Sequence, residues 1–157
     1  MKKFSVLILI LALRVGSAFA RIGIGAQGEY TFGNMPSFTS VELTFKSSTL
    51  PFVFGVDFDF AKDFYGIGLD VDYWFANPKL FSMLKWYLGP GITGTVYNSG
   101  GDISFYIGSR IFLGLNVFVI DELEIYLQTA AELGYTNFGG SGFAFHVPVG
   151  GGIRIWF

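Results

Sequence analysis

Strict alternation constrains this chain more than any motif does. On one parity lie Phe52, Phe54, Val56, Phe58 and Phe60, and on the other Gly55, Asp57 and Asp59. Further on, Tyr65, Ile67, Leu69, Val71, Tyr73 and Phe75 alternate with Gly66, Gly68, Asp70, Asp72 and Trp74. A two-residue period belongs to a β-strand with two unlike faces. Read throughout in this way, the chain yields eight strands at about 22–32, 38–46, 52–60, 64–75, 86–97, 103–113, 123–135 and 143–157. Turn formers separate them: Gly33 to Pro36, Ser47 to Thr49, Ala61 to Asp63, Asn77-Pro78, Asn98 to Gly101, Asn116 to Asp121, and Asn137 to Gly140.

One face is apolar throughout. It holds Ile22, Ile24, Tyr30, Leu43, Phe45, Trp86, Ile92, Phe105, Ile107, Ile125, Leu127, Val147, Ile153 and Phe157, and no charged residue. The opposite face holds Glu29, Glu42, Asp57, Asp59, Asp70, Asp72, Arg110, Glu124, Glu132 and Arg154. A soluble barrel would turn the apolar face inward, crowding its interior with aromatic rings and leaving its outside rich in Gly. The inverse arrangement needs no such excuse: apolar side chains meet lipid, while Gly and carboxylates face a narrow lumen. A Lys or Arg on the lipid face would cost about 2–4 kcal/mol at the bilayer midplane. Tyr65, Tyr73 and Phe75 bracket Ile67, Leu69 and Val71, as interfacial aromatic girdles do. A membrane strand takes roughly 9–11 residues, and a closed barrel satisfies its backbone hydrogen bonds in lipid. The expected fold is all-β, an eight-stranded antiparallel up-and-down transmembrane β-barrel. Residues 77–86 break the alternation and are expected to form a short interfacial helix or an extended turn, with Lys79 and Lys85 beside lipid headgroups.

Composition agrees with this reading. Hydrophobic residues make up 52% of the 157, aromatic ones 19% and charged ones only 14%, a membrane-like balance. Yet no run after residue 20 approaches the roughly 20 apolar residues of a spanning helix. Lys2 and Lys3, the apolar stretch from Phe4 to Leu13, and Ala18-Phe19-Ala20 form a secretory signal peptide with its cleavage site. The expected division is a cleaved segment at 1–20 and a single barrel domain at 21–157. The absence of Cys excludes lipoprotein processing, disulfides and thiol chemistry. Without Lys2, Lys3 and Arg14, 7 of the 10 basic residues face 12 acidic ones, so no basic patch for nucleic acid is expected.

Gly23, Gly25 and Gly28 spell the G-x-G-x-x-G of a dinucleotide site, and Gly89, Gly91 and Gly94 repeat it. A true fingerprint follows a strand and opens a helix within a βαβ unit. Here the first match starts directly after the cleavage site and continues as alternating strand. The inward parity collects Gly23, Gly25, Gly66, Gly68, Gly89, Gly91, Gly108, Gly150 and Gly152. In an interior just wide enough for side chains, these glycines leave room for larger neighbours. The dinucleotide reading is rejected.

The chain ends Gly152-Ile153-Arg154-Ile155-Trp156-Phe157. Gly152, Ile153, Ile155 and the terminal Phe157 resemble the C-terminal signal of outer-membrane barrels, although Gly150 stands where that pattern prefers a polar residue. Together with the alternating strands, this makes the chain resemble the small eight-stranded outer-membrane proteins of the OmpA transmembrane domain, OmpX and OmpW kind. The resemblance implies a bacterial outer-membrane location, both termini in the periplasm, and partners in outer-membrane lipid and the barrel assembly machinery. It places residues 33–37, 61–63, 98–102 and 136–142 outside the cell.

Candidate chemistry lies on the inward face. His146, the only histidine, falls near the outer end of the last strand, with Glu29 and Glu132 as candidate neighbours. An acyl-transfer reading would take Ser141 as nucleophile; no triad is recognisable, so no enzyme is expected and His146 reads as a hydrogen-bonded lumen residue. Glu29, Glu42, Asp57, Asp59, Asp70, Asp72, Glu124 and Glu132 outnumber Arg110 and Arg154. Arg154 is expected to pair with Glu124, and Arg110 with Asp70 or Asp72, because buried charges require partners. Glu29, Asp57, Asp59 and Glu132 are left with His146 alone, which suggests a water-filled acidic vestibule attractive to small cations. No cofactor and no metal site is expected, since no compact loop of oxygen ligands is visible. The functional expectation is a monomeric structural barrel or very small cation-preferring pore. The alternatives are a surface barrel binding an extracellular or host ligand, and an OmpW-like conduit for small hydrophobic compounds, which the acidic lumen disfavours.

Overall fold

The computed structural model describes residues 21–157, so the signal peptide read at 1–20 lies outside the described residues. The strands in chain order are β1 (Ile22–Gly33), β2 (Phe38–Ser47), β3 (Phe52–Phe60), β4 (Tyr65–Tyr73), β5 (Lys79–Phe81), β6 (Leu84–Ser99), β7 (Asp102–Ile120), β8 (Leu123–Thr136) and β9 (Gly142–Trp156). β5 is a three-residue strand folded onto the start of β6. The others form an eight-stranded closed antiparallel barrel. Neighbours in sequence are neighbours in space, β9 returns to β1, and β4 pairs across β5 with β6. The closing seam runs from Gly23 opposite Trp156 to Gly33 opposite His146. It continues into the last residue, where the Phe157 amide donates to the Ile22 carbonyl at 2.9 Å.

One end of the barrel carries Arg21, Phe157 and the turns at 48–51, 74–78 and 121–122; we call it the termini end. The far end carries the turns at 34–37, 61–64, 100–101 and 137–141. Ser99 and Asp102 pair across Gly100 and Gly101, whose φ angles are 61° and 99°. A two-residue hairpin of that twist needs positive φ at both central positions, and Gly reaches it without Cβ strain.

Alternation survives in three dimensions with its apolar face outward. Along β4, Leu69 is 63% exposed, whereas Asp70 and Asp72 beside it are 6% and 3% exposed. Ile92, Ile107, Ile111 and Leu127 are likewise exposed around the middle of the barrel wall, while Arg110, Glu124 and Arg154 are buried. In water this would leave a continuous apolar belt unburied; in lipid it is the ordinary arrangement of a spanning barrel.

Four local expectations are corrected. β7 does not stop near residue 113 but continues to Ile120, leaving only Asp121 and Glu122 in the turn. Asn116, read as a turn former, points inward and donates from Nδ2 to Glu124 Oε1 at 2.7 Å, so a lumen partner replaces the turn. Residues 77–86 form neither a helix nor a plain turn: Phe81 pairs with Leu84, a hairpin that lengthens β6. Finally, Phe64 precedes the strand it was expected to open and folds into the far-end interior, only 5% exposed.

Candidate functional site: the filled lumen

Each inward residue owes its place to strand parity, and register stacks these residues into layers. Near the termini end, Glu124 Oε2 accepts from Arg154 Nη1 at 3.0 Å and from Trp156 Nε1 at 2.9 Å. With Asn116 on its other oxygen, this carboxylate is fully engaged. Arg154 also donates from Nη2 to Thr44 Oγ1 at 3.2 Å and lies 4.6 Å from the centre of the Tyr126 ring. Beside it the Trp74 and Tyr87 rings stack 4.0 Å apart and 6° from parallel, with Phe112 against Tyr87. That stack exists because Gly114 lies under Tyr87; a Cβ there would run into the phenol ring.

The middle layer is built on Arg110. Its Nε and Nη2 grip Asp72 with two bonds of 2.7 and 2.8 Å, and its Nη1 reaches Asp70 at 2.8 Å and Glu132 at 3.3 Å. The planar guanidinium suits this fork. Gln27 donates to Glu29 at 2.8 Å and also to Glu42, so one amide bridges two carboxylates. Gly55 and Gly68 make these approaches feasible: a Cβ at Gly55 would occupy the Glu42 carboxylate, and one at Gly68 would meet that of Asp57.

Beyond this layer, Glu29, Asp57, Asp59, Asp70, Arg110, Glu132 and His146 line a cavity of about 30 Å3. A single water needs about 10–15 Å3 of such space, so the chamber is on the scale of two or three waters. Ser40 Oγ donates to Asp59 Oδ1 at 2.6 Å. His146 Nδ1 lies 3.7 Å from Glu132, and its Nε2 has no hydrogen-bond partner among the described residues. Aromatic rings cover the far end: Phe64 lies 5.8 Å from Phe38, 5.3 Å from Tyr97 and 4.9 Å from Phe138.

The structure brings the lumen acids together with the expected partners, Arg154 on Glu124 and Arg110 on both Asp70 and Asp72, and adds one contact. Arg110 reaches Glu132, so His146 is not the only company of the far-half acids. Glu29 lies opposite Gly150 and His146 opposite Gly33, so Glu29 shares the chamber with His146 but is not its register neighbour. Ser141 is exposed in the 137–141 turn, while His146 is buried inside the wall. Of the residues that resemble a C-terminal signal, Ile153, Ile155 and Phe157 face outward and Gly152 faces the lumen, on the strand that closes the seam. The sequence reading passed over one inward cation, Lys46, and set another, Lys85, beside lipid headgroups, whereas it turns into the barrel mouth. Lys46 sits 3.7 Å over the Trp74 ring and Lys85 5.4 Å from the Phe118 ring, both at the termini end. Parity was the available signal for Lys46, four places after Glu42 on the same face.

A closed eight-stranded barrel with an apolar exterior and a polar packed interior defines a class, the transmembrane β-barrels of small size. Two solved members have its fold. Neisserial surface protein A is 18% identical, with a TM-score of 0.51 over 88% of this chain and 97% of its own. The N-terminal β-barrel domain of Pseudomonas aeruginosa OprF is 15% identical, with a TM-score of 0.54 over 86% of this chain and 97% of its own. No protein-family model and no curated protein sequence matches the chain.

Proposed function

We propose that this chain is an integral protein of a bacterial outer membrane. It is a structural, non-enzymatic barrel delivered by its leader and inserted by the barrel assembly machinery through the C-terminal strand ending at Phe157. The apolar belt supports the lipid partner, and the shared fold supports the location. Between the structural and conducting forms of this reading, one observation favours the structural form. The lumen is filled in successive layers by Trp74–Tyr87–Phe112, by Arg110 with its carboxylates, and by the Phe38–Phe64–Tyr97–Phe138 rings. An ion crossing it would have to displace a guanidinium held by several charge-assisted bonds.

Planar-bilayer conductance of the purified protein, shown to be folded by its heat-shifted gel mobility, tests the proposal. Folded protein that gives no discrete current steps is the expected result. Reproducible cation-selective steps would contradict it and assign conduction to the acidic lumen.

A further inference from the structure

A second cavity opens at the termini end, and its chemistry is the reverse of the acidic chamber. It holds about 400 Å3 and is lined by Lys46, Lys85, Asn77, Asn116, Glu124 and the turn residues Ser48 and Thr49, with Trp74, Trp156 and Phe118 as apolar walls. That volume lies in the range of ligand clefts, about 300–1,000 Å3. Its charge is unbalanced. Glu124, the carboxylate in the lining, is already engaged by Arg154, Trp156 and Asn116. Neither Lys46 nor Lys85 forms a salt bridge among the described residues. Their ammonium groups rest instead near the Trp74 and Phe118 rings, which hold the side chains without neutralising them.

A further group looks for a partner. Asn116 is 1% exposed, and its Oδ1 has no hydrogen-bond partner among the described residues although its Nδ2 is bound to Glu124. A buried acceptor left unmatched costs free energy comparable to a lost hydrogen bond. Two unneutralised ammonium groups, a free acceptor and apolar walls in one cleft describe a recognition site, with donors for an anion and an acceptor for a hydroxyl. The walls also reduce the solvent screening that normally weakens a surface lysine's hold on an anion.

We propose that this cavity binds a small hydroxylated molecule bearing an oxyanion, a phosphate or carboxylate. The anion is held between Lys46 and Lys85, and a hydroxyl donates to Asn116 Oδ1. The same oxyanion chemistry is supplied by a soluble compound reaching the mouth of the barrel or by the headgroup of a phospholipid at its rim.

Trp74 and Trp156 line the cavity whereas Trp86 lies on the outer wall, so intrinsic fluorescence reads occupancy. The protein, expressed as the full chain and purified from membranes, is kept in dodecyl maltoside, which has no phosphate, and titrated with inorganic phosphate and with glycerol 3-phosphate. Saturable quenching is expected, tighter for glycerol 3-phosphate. Lys46→Gln and Lys85→Gln should each weaken it about tenfold, and Lys85→Arg should retain it. Asn116→Ala should erase the preference for glycerol 3-phosphate over phosphate. Heat-shifted mobility verifies each variant's fold. Quenching that does not saturate, or that is unchanged in the Lys46→Gln, Lys85→Gln double variant, overturns the site. Repeating the titration in phosphatidylcholine nanodiscs, whose phosphodiester competes without adding net surface charge, separates the sources. A loss of apparent affinity identifies the lipid phosphate as occupant, and an unchanged affinity identifies a soluble one.

Discussion

Replacing Arg110 by Met tests how the lumen is held together. Arg110 is 4% exposed and contacts Asp70, Asp72 and Glu132, two of them within 2.8 Å. Methionine preserves much of the side-chain length and removes the only guanidinium in that layer, leaving three buried carboxylates to face one another. Breaking a buried ion pair from one side costs about 3–5 kcal/mol. The geometry argues for the upper part of that range, because the Asp72 contact is bidentate and the others share the same cation. The assay is urea unfolding in lipid, followed by loss of the heat-shifted gel band. Removing two of the three carboxylates as well, in Arg110→Met, Asp70→Asn, Asp72→Asn, should recover more than half of the loss, since an ion network can often be exchanged for neutral groups at little cost. A deficit below about 1 kcal/mol for Arg110→Met at pH 8, within the range of an exposed pair, would refute the view that the layer depends on this cation.

Two further substitutions probe the wall and its packing. Leu69→Arg places a charge at the middle of the outward face of β4, opposite Val56 and Gly94. It should cost about 2–4 kcal/mol in lipid-based unfolding, whereas a site 63% exposed to water would tolerate it. Gly114→Val drives side-chain atoms into the Tyr87 ring and should cost about 1–3 kcal/mol by overpacking. Gly94→Ala meets no neighbour nearer than 3.8 Å and should leave the unfolding curve unchanged.

Most of the architecture was legible because the alternation is local. Every inward acid from Glu29 to Glu132 falls on the parity that its strand dictates, and so does the apolar belt. What escaped notice depends on contacts made across the barrel. Asn116 looks like a turn former until Glu124, on the next strand, supplies its partner. Phe64 looks like the start of a strand until Phe38, Tyr97 and Phe138 offer an aromatic cluster to join. The reach of Arg110 to Glu132 follows from the pairing of β7 with β8, in which the two residues sit directly opposite. Strand order contained that pairing, yet the reading gave Arg110 only Asp70 or Asp72, both of which it holds, and left Glu132 to His146. Lys46 was missed, and Lys85 was set beside lipid headgroups, for another reason. Their charges lie at strand ends, where a lysine also reads as an interfacial anchor.

The central claim is that the outward face of this barrel lies in lipid, and a nitroxide scan of β4 tests it directly. The chain contains no cysteine, so single cysteines at positions 65, 67, 69, 71 and 73 can each carry the label in a bilayer. The account predicts that collisions with oxygen, which concentrates in the membrane, rise from position 65 to a maximum at 69 and fall again toward 73. Collisions with a water-soluble nickel chelate should follow the opposite course. High accessibility to the nickel chelate at position 69 would place that face in water and contradict the account.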